Sequence, residues 1–139
     1  MTAFNKFNAF AADVARQVHN LHADTLKVML SNVAPSAANA VKADITEIAA
    51  GNGYSAGGTQ ATVASDGQSG GIYRLTLNPV TFTATGSGIA TFRYGVLYNA
   101  TPAAGPLIGW YDNGAAINLS SGISFTVEFD PSAGALTLQ

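Results

Sequence analysis

The sequence predicts a mainly β protein: a jelly roll or β-sandwich of about eight strands with one N-terminal α-helix. Three observations predict it. Apolar residues recur at helical spacing near the start, over residues 3–21. From Thr25 onward the apolar period switches to two. Short runs of that kind are then separated, again and again, by Gly-, Asn- and Pro-containing turn signals, the pattern of an all-β domain. With no linker-like tract, residues 1–139 read as one domain, with a helix over 1–22 and a sandwich over 25–139.

In the helix, Phe4, Phe7, Ala11, Val14, Val18 and Leu21 alternate spacings of three and four, with Phe10 beside them. Thr2 is the expected N-cap, and Asp13 with Arg16 forms an i,i+3 pair. Such a stripe has to be covered. Either it rests on the chain's own sheet, or Phe4, Phe7 and Phe10 anchor a partner subunit.

The strands follow. In "TLKVML", Leu26, Val28 and Leu30 share a face. "TFRYGVLY" sets Phe92, Tyr94, Val96 and Tyr98 against Arg93 and Leu97. In "ISFTVEFD", Ile123, Phe125, Val127 and Phe129 point inward while Ser124, Thr126, Glu128 and Asp130 point out. Shorter strands are expected over 59–65, 72–78, 80–85, 107–112, 115–119 and 135–138. Asp66-Gly67, Gly70-Gly71, Gly86 to Gly88, Ser121-Gly122 and Pro131 to Gly134 mark turns. Asn113-Gly114 between apolar runs signals a hairpin, and Pro79 marks a break or an edge.

"ADITEIAAG" reads as a short helix, capped by Asp44, with Glu47 in the capping-box position and Gly51 as its stop. The loop "GNGYSAGGT", with four glycines in nine residues, therefore follows a helix and leads into a strand. A phosphate cradle needs the reverse order, so that a helix N-terminus meets the anion. The loop is a chain reversal, with Tyr54 laid against a neighbouring element.

Composition narrows the function classes. The charged fraction is 10%, against about 25% in ordinary soluble domains. The six basic residues are scattered singly and the net charge is −2, so no basic stripe follows a nucleic-acid backbone and no cluster holds an anionic membrane. There are no cysteines, hence no disulfide framework and no thiolate site. The start of the chain is broken by Asn5, Lys6, Asn8 and Asp13 and carries no signal-peptide apolar core, so a soluble product made in a cytoplasm is expected.

Candidate chemistry is sparse. His19 and His22, the two histidines, can reach one metal from adjacent helical turns but lack a third ligand on that face. No Gly-x-Ser-x-Gly elbow is present. Glu128 and Asp130 share a strand face, where two solvated acids are far commoner than a cation seat or a glycosidic pair. Trp110 and Tyr111 are adjacent in a strand and point to opposite faces, so they cannot both stack on one sugar. No enzyme, no metal and no cofactor is expected.

Read together, "TLKVMLSNVAPSAANAVKADITEIAAGNGYSAGGT", "FRYGVLYNATPAAGPLIGWYDNG" and "SFTVEFDPSAGALTLQ" are similar to a family of small virion proteins of tailed bacteriophages. The similarity runs over nearly the whole chain, most specifically through "ADITEIAAGNGYSAGG" and "RYGVLYN…PLIGWYD". The chain resembles the capsid cement (decoration) proteins of jelly-roll type. That resemblance implies a structural homodimer made in the bacterial host cytoplasm and carried on the capsid exterior. There it bridges neighbouring major capsid subunits. The alternative within the resemblance is a tail-associated or receptor- and glycan-binding virion module. The C-terminal Ala135, Leu136, Thr137 and Leu138 either close the home sandwich or join a neighbour's sheet edge by β-augmentation.

Overall fold

The computed structural model describes residues 4–130 and 134–138. Its sequence-expected features at Thr2 and in the 131–133 part of the last turn lie outside them. Strands β1 (Phe4–Lys6), β2 (Leu26–Ser31), β3 (Thr59–Ala61), β7 (Ile89–Asn99) and β8 (Leu107–Leu119) form one sheet, in the order β1-β8-β7-β2-β3. A second layer holds β4 (Val63–Ser69), β5 (Ile72–Leu77) and β10 (Leu136–Leu138), ordered β10-β5-β4, with a separate pair of β6 (Val80–Thr83) and β9 (Ser124–Val127). Every described pairing is antiparallel. The protein is a mainly β sandwich with one helix, α1 (Asn8–Ala15).

The main core lies between the layers. Leu26, Val28 and Leu30 of β2, Phe92 and Leu97 of β7 and Ile108 and Tyr111 of β8 meet Leu75, Leu77, Phe82 and Val127 from the other layer. A smaller cluster covers the opposite face of the five-stranded sheet, where Met29, Val96, Tyr98 and Leu107 pack with Phe7. The middle of the five-stranded sheet, β2 with the ends of β7 and β8 that flank it, is thus buried on both sides, which is why "LKVML" and "RYGVLY" carry apolar residues on both faces.

Alternation in "TFRYGVLY" is broken. Phe92 belongs to the main core, whereas Tyr98 and Val96 belong to the second cluster and Leu97 returns to the main core. The pairing explains this: Phe92 sits opposite Ile117 but Tyr94 sits opposite Asp112. The residues between on β8, including Asn113 and Gly114, form a bulge in an unbroken strand, not the expected hairpin. Gly114 has φ +87, its N–H donates to Asp112 Oδ1 at 2.7 Å, and Arg93 holds the same carboxylate through two bonds of 2.7 and 2.9 Å.

The N-terminal helix is shorter than its periodicity predicts, because tertiary pairing wins at its start. Phe4, Asn5 and Lys6 pair with Tyr111, Trp110 and Gly109. Gly109 makes room: a Cβ there would lie 2.2 Å from Phe4 Cζ. The helix ends in a Schellman motif. Val18 N–H reaches Asp13 O at 2.9 Å and Gln17 N–H reaches Val14 O at 3.2 Å, with Gln17 at φ +63 where glycine is usual.

Residues 44–51 form no α-helix either. A 3-10 turn at Lys42–Asp44 is followed by a bridge between Ser31 and Glu47, and Ile48 N–H donates to Leu30 O. The Asp44 carboxylate caps backward, accepting from the N–H groups of Ala40 and Val41 at 2.9 and 3.2 Å, which holds it below the usual carboxylate range. Asp66-Gly67 lies inside β4, whereas the Gly70-Gly71 turn and the Pro79 break fall where expected. Ile123, expected inward, is exposed just ahead of β9.

Candidate functional site

The two ends of the described chain meet on one side of the sandwich. β1 is the edge of one sheet and β10 is the edge of the other, and each is three residues long. Between them runs a groove of about 310 Å³ lined by Phe4, Lys6, Gly134, Ala135, Leu136 and Thr137. Phe4 and Ala135 to Thr137, far apart in sequence, thus share one surface feature. The geometry of each side has a local cause. Phe4 lies over Gly109 and against Tyr111, ring centroids 5.1 Å apart. Gly134, at φ +83, lets the chain turn into β10 where a Cβ would stand 2.7 Å from Leu75 O, and Ala135 N–H then donates to that oxygen at 2.7 Å.

The other candidate interface residues are spent internally. Phe7 and Phe10 are 2% and 1% exposed. Phe7 stacks on Trp110 at 4.6 Å in the second cluster, and Phe10 packs on His19 at 5.2 Å in the main core. Of the two readings of the apolar stripe, packing on the chain's own sheet is the one observed for these two rings. Ala135 and Leu136 are buried and Thr137 and Leu138 half-buried, with 136–138 paired to β5 of the same chain.

The glycine loop is a chain reversal, as its order in the sequence requires. Gly51 and Tyr54 exchange backbone bonds of 2.7 and 3.1 Å across Asn52 and Gly53, both at positive φ, a two-residue turn of the tight hairpin kind. It delivers the Tyr54 hydroxyl into the sandwich, where it accepts from Leu30 N–H at 3.0 Å and donates to Glu47 Oε1 at 2.6 Å. Glu47 Oε1 also accepts from Gly57 N–H, and Tyr98 donates to Gly57 O at 2.7 Å. Burial and the Glu47 bond push the Tyr54 hydroxyl strongly up from its ordinary value. The cluster ties the 41–58 crossing to β2 and β7.

The histidines do not share a helix face, since α1 ends before either. His22 is exposed and donates from Nδ1 to Asp66 at 2.9 Å; Tyr73 donates to the same carboxylate at 3.3 Å. Burial, aided by Asp66, pushes the Tyr73 hydroxyl up to about 12. These residues, with His19 and Leu138, line a cavity of about 560 Å³. Among the described residues no three metal-ligating side chains gather.

Trp110 and Tyr111 face opposite ways: Tyr111 is in the main core and Trp110 is half-buried on Phe7. Burial and the charge of Asp130 push the Tyr111 hydroxyl up to about 12. Glu128 and Asp130 are both exposed, either side of buried Phe129. Sequence reasoning missed as network centres Glu47, Asp66 and Asn99, whose amide nitrogen lies 2.6 Å from Asp24 Oδ2 and 3.2 Å from His19 Nδ1. The one available signal was a polar residue closing an apolar strand, as Asn99 closes "YGVLYN". Comparison with protein-family models, with curated proteins and with solved structures finds no match to this chain.

Proposed function

We propose that this chain is a structural protein of a tailed-phage virion that binds the outer surface of the capsid and cements neighbouring major capsid subunits, acting as a homodimer without cofactor. The observation that carries the reading is the meeting of two edge strands, β1 and β10, beside one groove. An unpaired strand edge is a template for another chain's strand, with backbone hydrogen bonds supplying affinity and alternate side chains supplying register. The low charge density of the chain and the similarity of its sequence to cement proteins support the same reading. Cementing needs a stiff scaffold and a repeated weak contact. Identical contacts across many capsomer seams add through multivalency.

The test is binding of the purified protein to capsids from which it has been removed. Thr137 is half-buried on the β10 edge, and Thr137→Lys sets a charge where an incoming strand would lie. The variant is expected to bind at least tenfold more weakly while its thermal midpoint stays that of the parent. Equal binding by the two proteins would reject the edge as the contact.

A further inference from the structure

His19 is nearly buried, 9% exposed, and its surroundings fix which form of the imidazole fits. The backbone N–H of Thr101 donates to Asn99 Oδ1 at 3.0 Å, which settles the orientation of the Asn99 amide. The amide nitrogen then faces two acceptors, Asp24 Oδ2 at 2.6 Å and His19 Nδ1 at 3.2 Å. A donor at 3.2 Å requires a lone pair on Nδ1, so the ring is neutral and carries its proton on Nε2. That Nε2 atom is buried and has no hydrogen-bond partner among the described residues.

The same bonds hold a connector. Residues 16–24 run from the end of α1 to the start of β2, and Asp24 Oδ2 also accepts from Asn20 N–H at 2.9 Å. Phe10 backs the imidazole. This connector forms one wall of the cavity of about 560 Å³ whose far wall includes Asp66, Tyr73 and Leu138.

We propose that His19 is an acid-sensitive latch: the neutral ring, accepting from Asn99, pins the 16–24 connector to the end of β7, and protonation of Nδ1 sets donor against donor and releases the connector from the sandwich. Release opens the cavity beside β10. The charged groups around the ring are Asp13 on α1 and Asp24 on the connector; both favour the imidazolium, and burial outweighs them, so the group titrates below its ordinary value. Across the cavity His22 and Asp66 are already paired to each other. The sign follows. A histidine with a depressed folded-state value contributes stability that is fully present above about 6.5, its unfolded value, and lost as pH falls through the folded value.

The experiment is imidazole ¹⁵N NMR of the full chain, with amide hydrogen exchange followed from pH 7.5 to 4.5 and corrected for the intrinsic exchange rate. The expected result at pH 7.5 is the Nε2–H tautomer. On acidification, protection of residues 16–24 should fall by up to tenfold per pH unit, the dependence of a single proton, while β2, β7 and β8 stay protected. His19→Asn, whose amide oxygen can accept from Asn99 without titrating, should keep the connector protected at low pH. An Nδ1–H tautomer, or protection of 16–24 unchanged over this range, would overturn the latch. So would an identical acid response in a folded His19→Asn protein.

Discussion

At the scale of single residues, the interior is organised by a few polar groups that fully satisfy backbone donors. Tyr54 is the best example. Its hydroxyl supplies the acceptor for the buried Leu30 N–H of β2. Tyr54→Phe retains the ring and its contact with Phe82 but leaves that N–H without a partner. The variant is expected to lose about 1–3 kcal/mol, the cost of an unsatisfied buried donor, read as a lower midpoint in urea at unchanged slope. A loss below a few tenths would mean that Leu30 N–H finds another acceptor. Arg93 and Asp112 are a different case. Their two-bond pair is over a third exposed on both sides, so it positions the β8 bulge more than it stabilises the fold.

At the scale of elements, the short N-terminal helix shows where local signals yield to tertiary ones. Of the stripe Phe4, Phe7, Ala11, Val14, Val18 and Leu21, Phe7 and Leu21 are buried, Val14 and Val18 are half-buried and Ala11 is exposed, while Phe10, set beside the stripe, is buried. The three-four spacing does not reveal that Phe4–Lys6 finds a strand partner in β8, because that depends on the missing side chain of Gly109. The helix stop was equally hidden, since Gln17 occupies a left-handed position normally given to glycine. Gln17→Gly is therefore expected to stabilise the protein by about 0.5–1 kcal/mol, relief of left-handed strain offset by chain entropy, measured by chemical denaturation. A destabilised variant would show that the Gln17 side chain makes a contribution larger than its backbone strain.

The strands were more legible than the helices. Six of the nine expected segments each fall on one strand; residues 59–65 take in β3 and the start of β4, and 107–112 with 115–119 are the single strand β8. Where both faces are buried, as at Met29 and Val96, alternation carries no information about which layer a side chain joins. Asn113-Gly114 looked like a hairpin because a left-handed glycine serves a turn and a bulge equally well; pairing with Phe92 and Tyr94 decides between them. Of the residues that line the groove, Phe4 and Ala135 to Thr137 were already interface candidates in the sequence, Phe4 from the apolar stripe and the others from their place at the C-terminal end. Their convergence was not legible, as it depends on β1 and β10 being edges of two facing sheets.

At the scale of the whole molecule, a sheet whose middle is buried on both faces gives a scaffold that holds two short edges in fixed relation. The proposed bridging of other subunits asks for such a scaffold and for no change of shape. In the absence of cysteines, its strength comes from this double burial and from bonded loops, not from cross-links. The measurement that tests the central claim most directly is antibody labelling of intact virions, viewed by electron microscopy. Cementing predicts label spread evenly over the heads, at a density set by the capsid lattice. Label confined to the tails, or absent from the particle, would contradict it.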